Sequence, residues 1–271
     1  MLYEFDYISP KNKNELLEII AEKNGECKIL AGGTDLLVDI RNGIIKPKFV
    51  VDIKTVKDFP KITYSEKEGL IIGPTITCSD IIENKLIQEK FPALVLTAKE
   101  LGSTQIRNRA TIIGNICNAS PCADMSLSLL CLDASVDIIS KEGTRRVKIK
   151  EFFTGVKKTV LNKGEVVEKI IIPAVMANAK AGFKKLKRIK GHDLSLVSVC
   201  LVKKGKIMRV AVGSAAPTSV VSDDIDSNSD FPTVWSKIEK LINPIDDIRC
   251  SKDYRIFMVK VYLERLLKEV K

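Results

Sequence analysis

Leu30-Ala-Gly-Gly-Thr-Asp-Leu-Leu37 joins a short apolar strand to a helix-like apolar segment through two adjacent glycines. Paired glycines after a strand let the backbone approach a ligand closely and turn successive N–H groups toward one point. Thr34 or Asp35 then caps the helix that Leu36, Leu37 and Ile40 begin, leaving amides free for an anion such as a pyrophosphate. The same residues also spell a plain strand–turn–helix with a capped start. Upstream, Cys27–Leu30 is the strand, and Glu15–Lys23 has helical apolar spacing with Asn24-Gly25 as its stop. Downstream, Phe49–Ile53 and Leu70–Ile72 read as buried strands. A helix capped by Ser79-Asp80 is expected to run to about Glu89, and another from Pro92 to Leu101.

A second informative stretch is Gln105-Ile-Arg-Asn-Arg-Ala-Thr-Ile-Ile-Gly-Asn-Ile-Cys-Asn-Ala-Ser-Pro-Cys-Ala-Asp124. It has no amphipathic period, so its backbone groups need partners from the loop itself or from a ligand. Gly114-Asn115 offers backbone access plus an amide, and Asp124 can accept hydrogen bonds from sugar hydroxyls. Further on, Ala134–Ile139 and Arg145–Lys150 form a hairpin around Lys141–Thr144. Val166–Ile172 is a strand ended by Pro173. Ser195–Val202 and Lys206–Val212 are strands around the turn at 203–205. Residues 222–231 read as a loop. Helices over 233–242 and 254–270 close the chain, the last with Ile256, Val259, Leu263, Leu266 and Val270 on one stripe, as core or subunit interface. The pattern is α+β, with a boundary near residue 173.

Composition excludes several classes. At 271 residues the chain passes the size of roughly 250 at which single cores divide. No apolar run approaches the roughly 20 residues of a membrane span. The start, MLYEFDYISPKNKNELL, has acids where a signal peptide needs bases, so a cytoplasmic protein is expected. A net charge of +10 permits a nucleic-acid role, but the lysines alternate with acids. The densest basic run, Lys184 to Lys190, has no nucleic-acid module around it and reads as a solvated face. The seven cysteines lack Cys-x-x-Cys spacing, and the one histidine, His192, reads as a surface residue. Free thiols in a reducing compartment and no metal are expected. No Gly-x-Gly-x-x-Gly, Walker loop or nucleophile elbow is present, and no residue stands out as a general acid or base.

The two segments together are more specific than either alone. AGGTDLL at 31–37 with QIRNRATIIGN and ASPCAD across 105–124 resembles the FAD-binding medium subunit of the molybdenum hydroxylases, the xanthine, nicotinate and carbon monoxide dehydrogenase flavoprotein type. Gly73-Pro-Thr-Ile-Thr77, Glu151-Phe-Phe-Thr-Gly155, Ile171-Ile-Pro173, Phe183-Lys184 with Arg188, Asp193-Leu-Ser195 and Asp247-Ile-Arg-Cys-Ser with Tyr254-Arg255 extend the resemblance over essentially the whole chain. It implies a flavin domain of the vanillyl-alcohol-oxidase (PCMH) type over 1–173, in subdomains of about 1–54 and 55–173. A small α/β C-terminal domain of the carbon-monoxide-dehydrogenase-flavoprotein kind follows over 174–271.

The resemblance further implies an FAD pyrophosphate between residues 29–36 (Ile29, Leu30, Ala31, Gly32, Gly33, Thr34, Asp35, Leu36) and 111–115. In the second loop the contacts are Thr111, Ile113, Gly114 and Asn115; Leu101, Asp124, Val167 and Lys184 lie near the flavin. It implies an iron–sulfur partner subunit with two [2Fe–2S] centres, a molybdopterin subunit that hydroxylates substrate, NAD as acceptor, and a dimer of heterotrimers. The lack of an extra cysteine-rich insertion points to the purine or N-heterocycle branches. One departure stands out: Thr111-Ile-Ile-Gly-Asn115 puts Ile113 where the family has glycine. If that position needs positive φ, isoleucine is strained there. A slightly shifted binding loop is the favoured consequence, and a flavin-free scaffold the alternative.

Overall fold

A computed structural model describes residues 3–23 and 25–271. Asn24, half of the expected helix stop, lies outside the described residues. The chain opens with a three-stranded parallel sheet of β1 (Asp6–Ile8), β2 (Cys27–Leu30) and β3 (Phe49–Asp52), ordered β1-β3-β2. Its crossovers carry α1 (Lys13–Glu22) and α2 (Leu36–Arg41). Asn12 starts α1 by accepting from the Glu15 amide, and Leu16 and Ile20 bury its apolar face.

A larger antiparallel sheet follows, built from β4 (Thr63–Ser65), β5 (Gly69–Ile72), β6 (Ser135–Ser140), β7 (Gly143–Lys148) and, later in the chain, a strand over Val166–Ile172. Between β5 and β6 run α3 (Cys78–Glu83), α4 (Lys85–Lys90), α5 (Pro92–Glu100), α6 (Thr104–Arg107), α7 (Ile112–Cys117) and α8 (Asp124–Cys131). The short helix α9 (Ile149–Phe152) and the hairpin β8 (Phe153–Gly155) and β9 (Lys158–Thr159) lead into β10 (Val166–Ile172), which pairs between β5 and β6.

Two expectations change here. The helix over 79–89 is two helices: Thr77 opens α3 in a reciprocal capping box with Asp80, and Asn84 ends α3 and caps α4. The stretch 105–124 is not one polar loop but holds α6, α7 and the first residue of α8. Every residue of α8 is buried, so its sequence has no polar face and no helical period to read.

The last third forms a second antiparallel sheet, β11 (Lys180–Leu186), β12 (Val197–Lys204), β13 (Ile207–Gly213) and β14 (Val220–Val221), with β15 (Ile225–Asp226) pairing to β13. The short strand β15 thus sits within residues 222–231, which read as loop, and β14 lies just before them. Helices α10 (Phe231–Glu239) and α11 (Lys252–Glu269) cover one face. Val199 and Leu201 face these helices, whereas Cys200 and Val202 face α8 and join the main core. The stripe of α11 is therefore core, with Val259, Leu263, Leu266 and Val270 buried against the sheet. A fully enclosed Arg255 is anchored below it on the carbonyls of Leu196 and Ser214, at 2.5 and 2.9 Å, and on Asp247 at 2.8 Å.

Candidate functional site

The glycine pair lies where two parts of the chain touch. A Cβ on Gly32 would stand 2.1 Å from the Arg109 carbonyl oxygen, so only glycine lets the loop after β2 lie against the segment entering α7. Gly33 has φ +75°, a left-handed conformation that turns the chain into α2. The Arg109–Thr111 segment is itself fixed. Ala110 O accepts from Cys78 N at 2.8 Å, Ile112 N donates to Ile76 O at 3.3 Å, and Thr111 bridges Thr77. The ammonium of Lys54 supports the loop from behind, reaching Ala31 O at 3.2 Å while paired to buried Asp52 at 2.7 Å.

Neither Thr34 nor Asp35 makes the expected side-chain cap of α2, although the N-cap position is held by Asp35. Its side chain makes no cap bond but accepts from Asn118 Nδ2 at 2.9 Å, and Asn118 in turn accepts from Lys157 Nζ at 2.6 Å. This chain of contacts ties the glycine loop to the turn following α7. Ala119 of that turn and Lys157, in the turn between β8 and β9, both hold positive φ, +47° and +57°, and Lys157 N donates to Ala119 O at 2.9 Å.

Thr111 starts α7, accepting from Gly114 N at 3.0 Å, and a side chain on Gly114 would crowd that hydroxyl at 2.8 Å. Asn115 Oδ1 accepts from Met125 N at 3.2 Å and so joins α7 to α8. Ile113 occupies an ordinary helical position within α7, with no positive φ, and its side chain is buried in the main core. The strain considered from sequence is absent, because φ at Ile113 is not positive.

Residues 29–36 and 111–115 thus converge. Leu101 ends α5 and is buried, and Val167 lies in β10, against which α7 packs. Asp124, the first residue of α8, is 5% exposed. Burial pushes its carboxyl up to about 6, against the pull of the Lys185 ammonium. Lys185 Nζ lies 2.7 Å from Asp124 Oδ2 and 3.0 Å from Glu100 O, while Asp124 Oδ1 is enclosed without a donor among the described residues.

Lys184 behaves differently: its ammonium pairs with Glu269 on α11 at 2.8 Å. Strand alternation explains this. Gly182, Lys184 and Leu186 face α11, whereas Ala181, Phe183 and Lys185 face α5 and α8. The basic run is also not a uniformly solvated face, since Lys184, Lys185, Lys187 and Arg188 each hold a carboxylate. Lys185 was the residue missed from sequence, and reading 180–186 as a strand would have found it.

The closing motif is architectural. Asp247 accepts from Arg249 at 2.6 Å and Arg255 at 2.8 Å, and these guanidiniums hold its carboxyl well below the usual range. Arg249 also reaches Ser195 O and the Cys122 thiol, 3.3 and 3.4 Å away, and Ser214 N donates to Pro121 O at 2.9 Å. The turn before Asp124 is thereby fastened to the last third of the chain. His192 is exposed.

Known proteins resemble this chain over most of its length. The profile of the FAD binding domain in molybdopterin dehydrogenase matches residues 3–175. The glyceraldehyde dehydrogenase medium chain of Sulfolobus acidocaldarius is 32% identical, over 98% of this chain and 98% of its own. The xanthine dehydrogenase FAD-binding subunit of Escherichia coli O157:H7 is 29% identical, over 98% of this chain and 96% of its own. In fold, a solved Cu,Mo-CO dehydrogenase superposes with a TM-score of 0.92 at 24% identity, covering 100% of this chain and 99% of the other. With a family profile over 3–175 and a 32% identical relative matched over nearly its whole length, the chain belongs to the family of FAD-binding medium subunits of the molybdenum hydroxylases.

Proposed function

We propose that this subunit passes electrons from [2Fe–2S] clusters on a partner subunit to NAD or another acceptor, while a molybdopterin subunit hydroxylates a purine or other N-heterocycle. The observation that carries the reading is the pair of converging loops, 29–36 and 111–115, beside a buried acceptor, Asp124 Oδ1, that has no donor among the described residues. The residues present fit the cofactor: closely packed glycine backbone suits a pyrophosphate, and an enclosed carboxylate oxygen suits a sugar or polyol hydroxyl. When bound, FAD supplies a centre that exchanges electrons singly or in pairs, which matches one-electron clusters to a two-electron carrier. Gly32, Gly33, Thr34, Thr111, Gly114 and Asn115 would bind the nucleotide, with Leu101, Asp124, Val167 and, from β11, Lys184 or Lys185 near the flavin.

We assign residues 1–173 to a flavin domain of the vanillyl-alcohol-oxidase type and 174–271 to a C-terminal domain. The change from one sheet to the next between β10 and β11 supports that division. Seven unpaired cysteines favour a reducing, cytoplasmic setting. Among the described residues no helix is long and apolar enough to cross a membrane. An aldehyde substrate is a second reading, favoured by the 32% identity to a glyceraldehyde dehydrogenase chain. Against the flavin-free alternative stands Ile113, a buried residue of α7 without positive φ. The test is reconstitution: the isolated chain is expected to oxidise neither xanthine nor glyceraldehyde, and activity with NAD is expected only on assembly with both partners. Substrate oxidation by the isolated chain refutes the reading.

A further inference from the structure

Lys185 and Asp124 join the two halves of the molecule, one on β11 and the other at the head of α8. Among the ion pairs of the described residues, it is the one in which both side chains are almost wholly enclosed, at 3% and 6% exposure. A buried ion pair repays its desolvation only when the remaining lone pairs and protons are also satisfied. Here Oδ2 takes the lysine and Oδ1 takes nothing. Such a pair is poorly built for stability and well built to receive one more donor.

We propose that Lys185 is a positioning residue of the flavin site: it fixes Asp124 through Oδ2 and leaves Oδ1 as a charged acceptor for a hydroxyl of the flavin nucleotide. This rests on the flavin reading above and adds to it the role of Lys185 toward Asp124.

The groups facing Asp124 come from several elements. Lys185 and Lys187 favour its ionised form, and the Glu100 carboxylate at the end of α5 opposes it. Cys78 on α3 faces it as a neutral thiol, pushed up to about 12 by burial. With the carboxyl itself raised to about 6, the charged acceptor is present above that pH and is lost below it. A charged acceptor binds a hydroxyl more strongly than a neutral one, so flavin affinity falls as pH drops through this range. Nucleotide binding in turn releases protons near pH 6.

The experiment is an FAD titration of the full chain, followed by flavin fluorescence between pH 5 and 9. The wild-type dissociation constant should be flat at high pH and rise below about pH 6. Lys185→Met should move that rise to higher pH and weaken binding about tenfold at pH 7.5, the worth of one charge-assisted hydrogen bond. Lys185→Arg should restore the wild-type profile. Asp124→Asn, a near-isosteric neutral side chain, should bind weakly with no dependence on pH, and serves if Lys185→Met does not fold. A Lys185→Met profile displaced by one factor at every pH, or an Asp124→Asn profile like the wild type, overturns the inference. A wild-type profile flat throughout, with FAD bound, overturns this inference alone. No FAD binding at any pH overturns the flavin reading with it.

Discussion

Replacing Gly32 with alanine tests the packing on which the cofactor site depends. The new methyl would lie 2.1 Å from Arg109 O, 2.8 Å from its carbonyl carbon and 3.0 Å from Ala110 Cα. Ordinary contact starts near 3.4 Å, so the loop and the 109–110 segment must part by about 1.3 Å. Residues 109–110 cannot yield easily, because Ala110 is bonded on both sides, to Ile106 O at 2.7 Å and from Cys78 N at 2.8 Å. The glycine loop therefore moves. Forcing such an overlap costs about 1–3 kcal/mol. Most of this falls on the arrangement that binds FAD, since the free loop relaxes outward, so affinity should drop by about tenfold or more. The assay is FAD titration of the full chain alongside thermal unfolding. Gly155→Ala is the control, having negative-φ-compatible backbone and no atom nearer than 3.8 Å to the new Cβ. Unchanged FAD affinity in Gly32→Ala, with Gly155→Ala also unchanged, would refute the reasoning.

Other substitutions follow from the same contacts. Ile113→Gly removes a buried side chain and adds a helical glycine, so chemical denaturation should show a loss of about 3 kcal/mol or more, with no gain in FAD affinity. Arg255→Met strips two buried carbonyls and Asp247 of their donor, and urea unfolding should register a loss of about 3–5 kcal/mol. Asn118→Ala cuts the link between Asp35 and Lys157 at the surface; stability should change by less than about 1 kcal/mol, while FAD should dissociate measurably faster in stopped-flow displacement.

What the sequence discloses depends on how local the cause is. The glycine loop is legible because two adjacent glycines after a strand answer a demand of the backbone itself, and Gly32 meets that demand against Arg109. Helix α8 is not, because a segment buried all round carries no polar face. The split between α3 and α4 rests on Asn84 acting as the end of one helix and the cap of the next, a role a propensity pattern passes over. Lys184 and Lys185 look alike in a basic run. Only the two-residue alternation of β11 sends one to Glu269 and the other to Asp124. Ile113 looks costly where the resemblance implies glycine, yet the helix of α7 accepts it, since φ there is not positive. Arg255 is a buried charge that the sequence does not disclose, because its partners are carbonyls just before β12 and just after β13, far away in sequence.

The central claim is that this chain itself holds the flavin. The direct measurement is the visible spectrum of the purified full chain, followed by denaturation and chromatographic identification of what is released against FAD and FMN. The account predicts a yellow protein releasing FAD at about one per chain, as one two-loop site requires. A colourless chain that also fails to take up added FAD would contradict it.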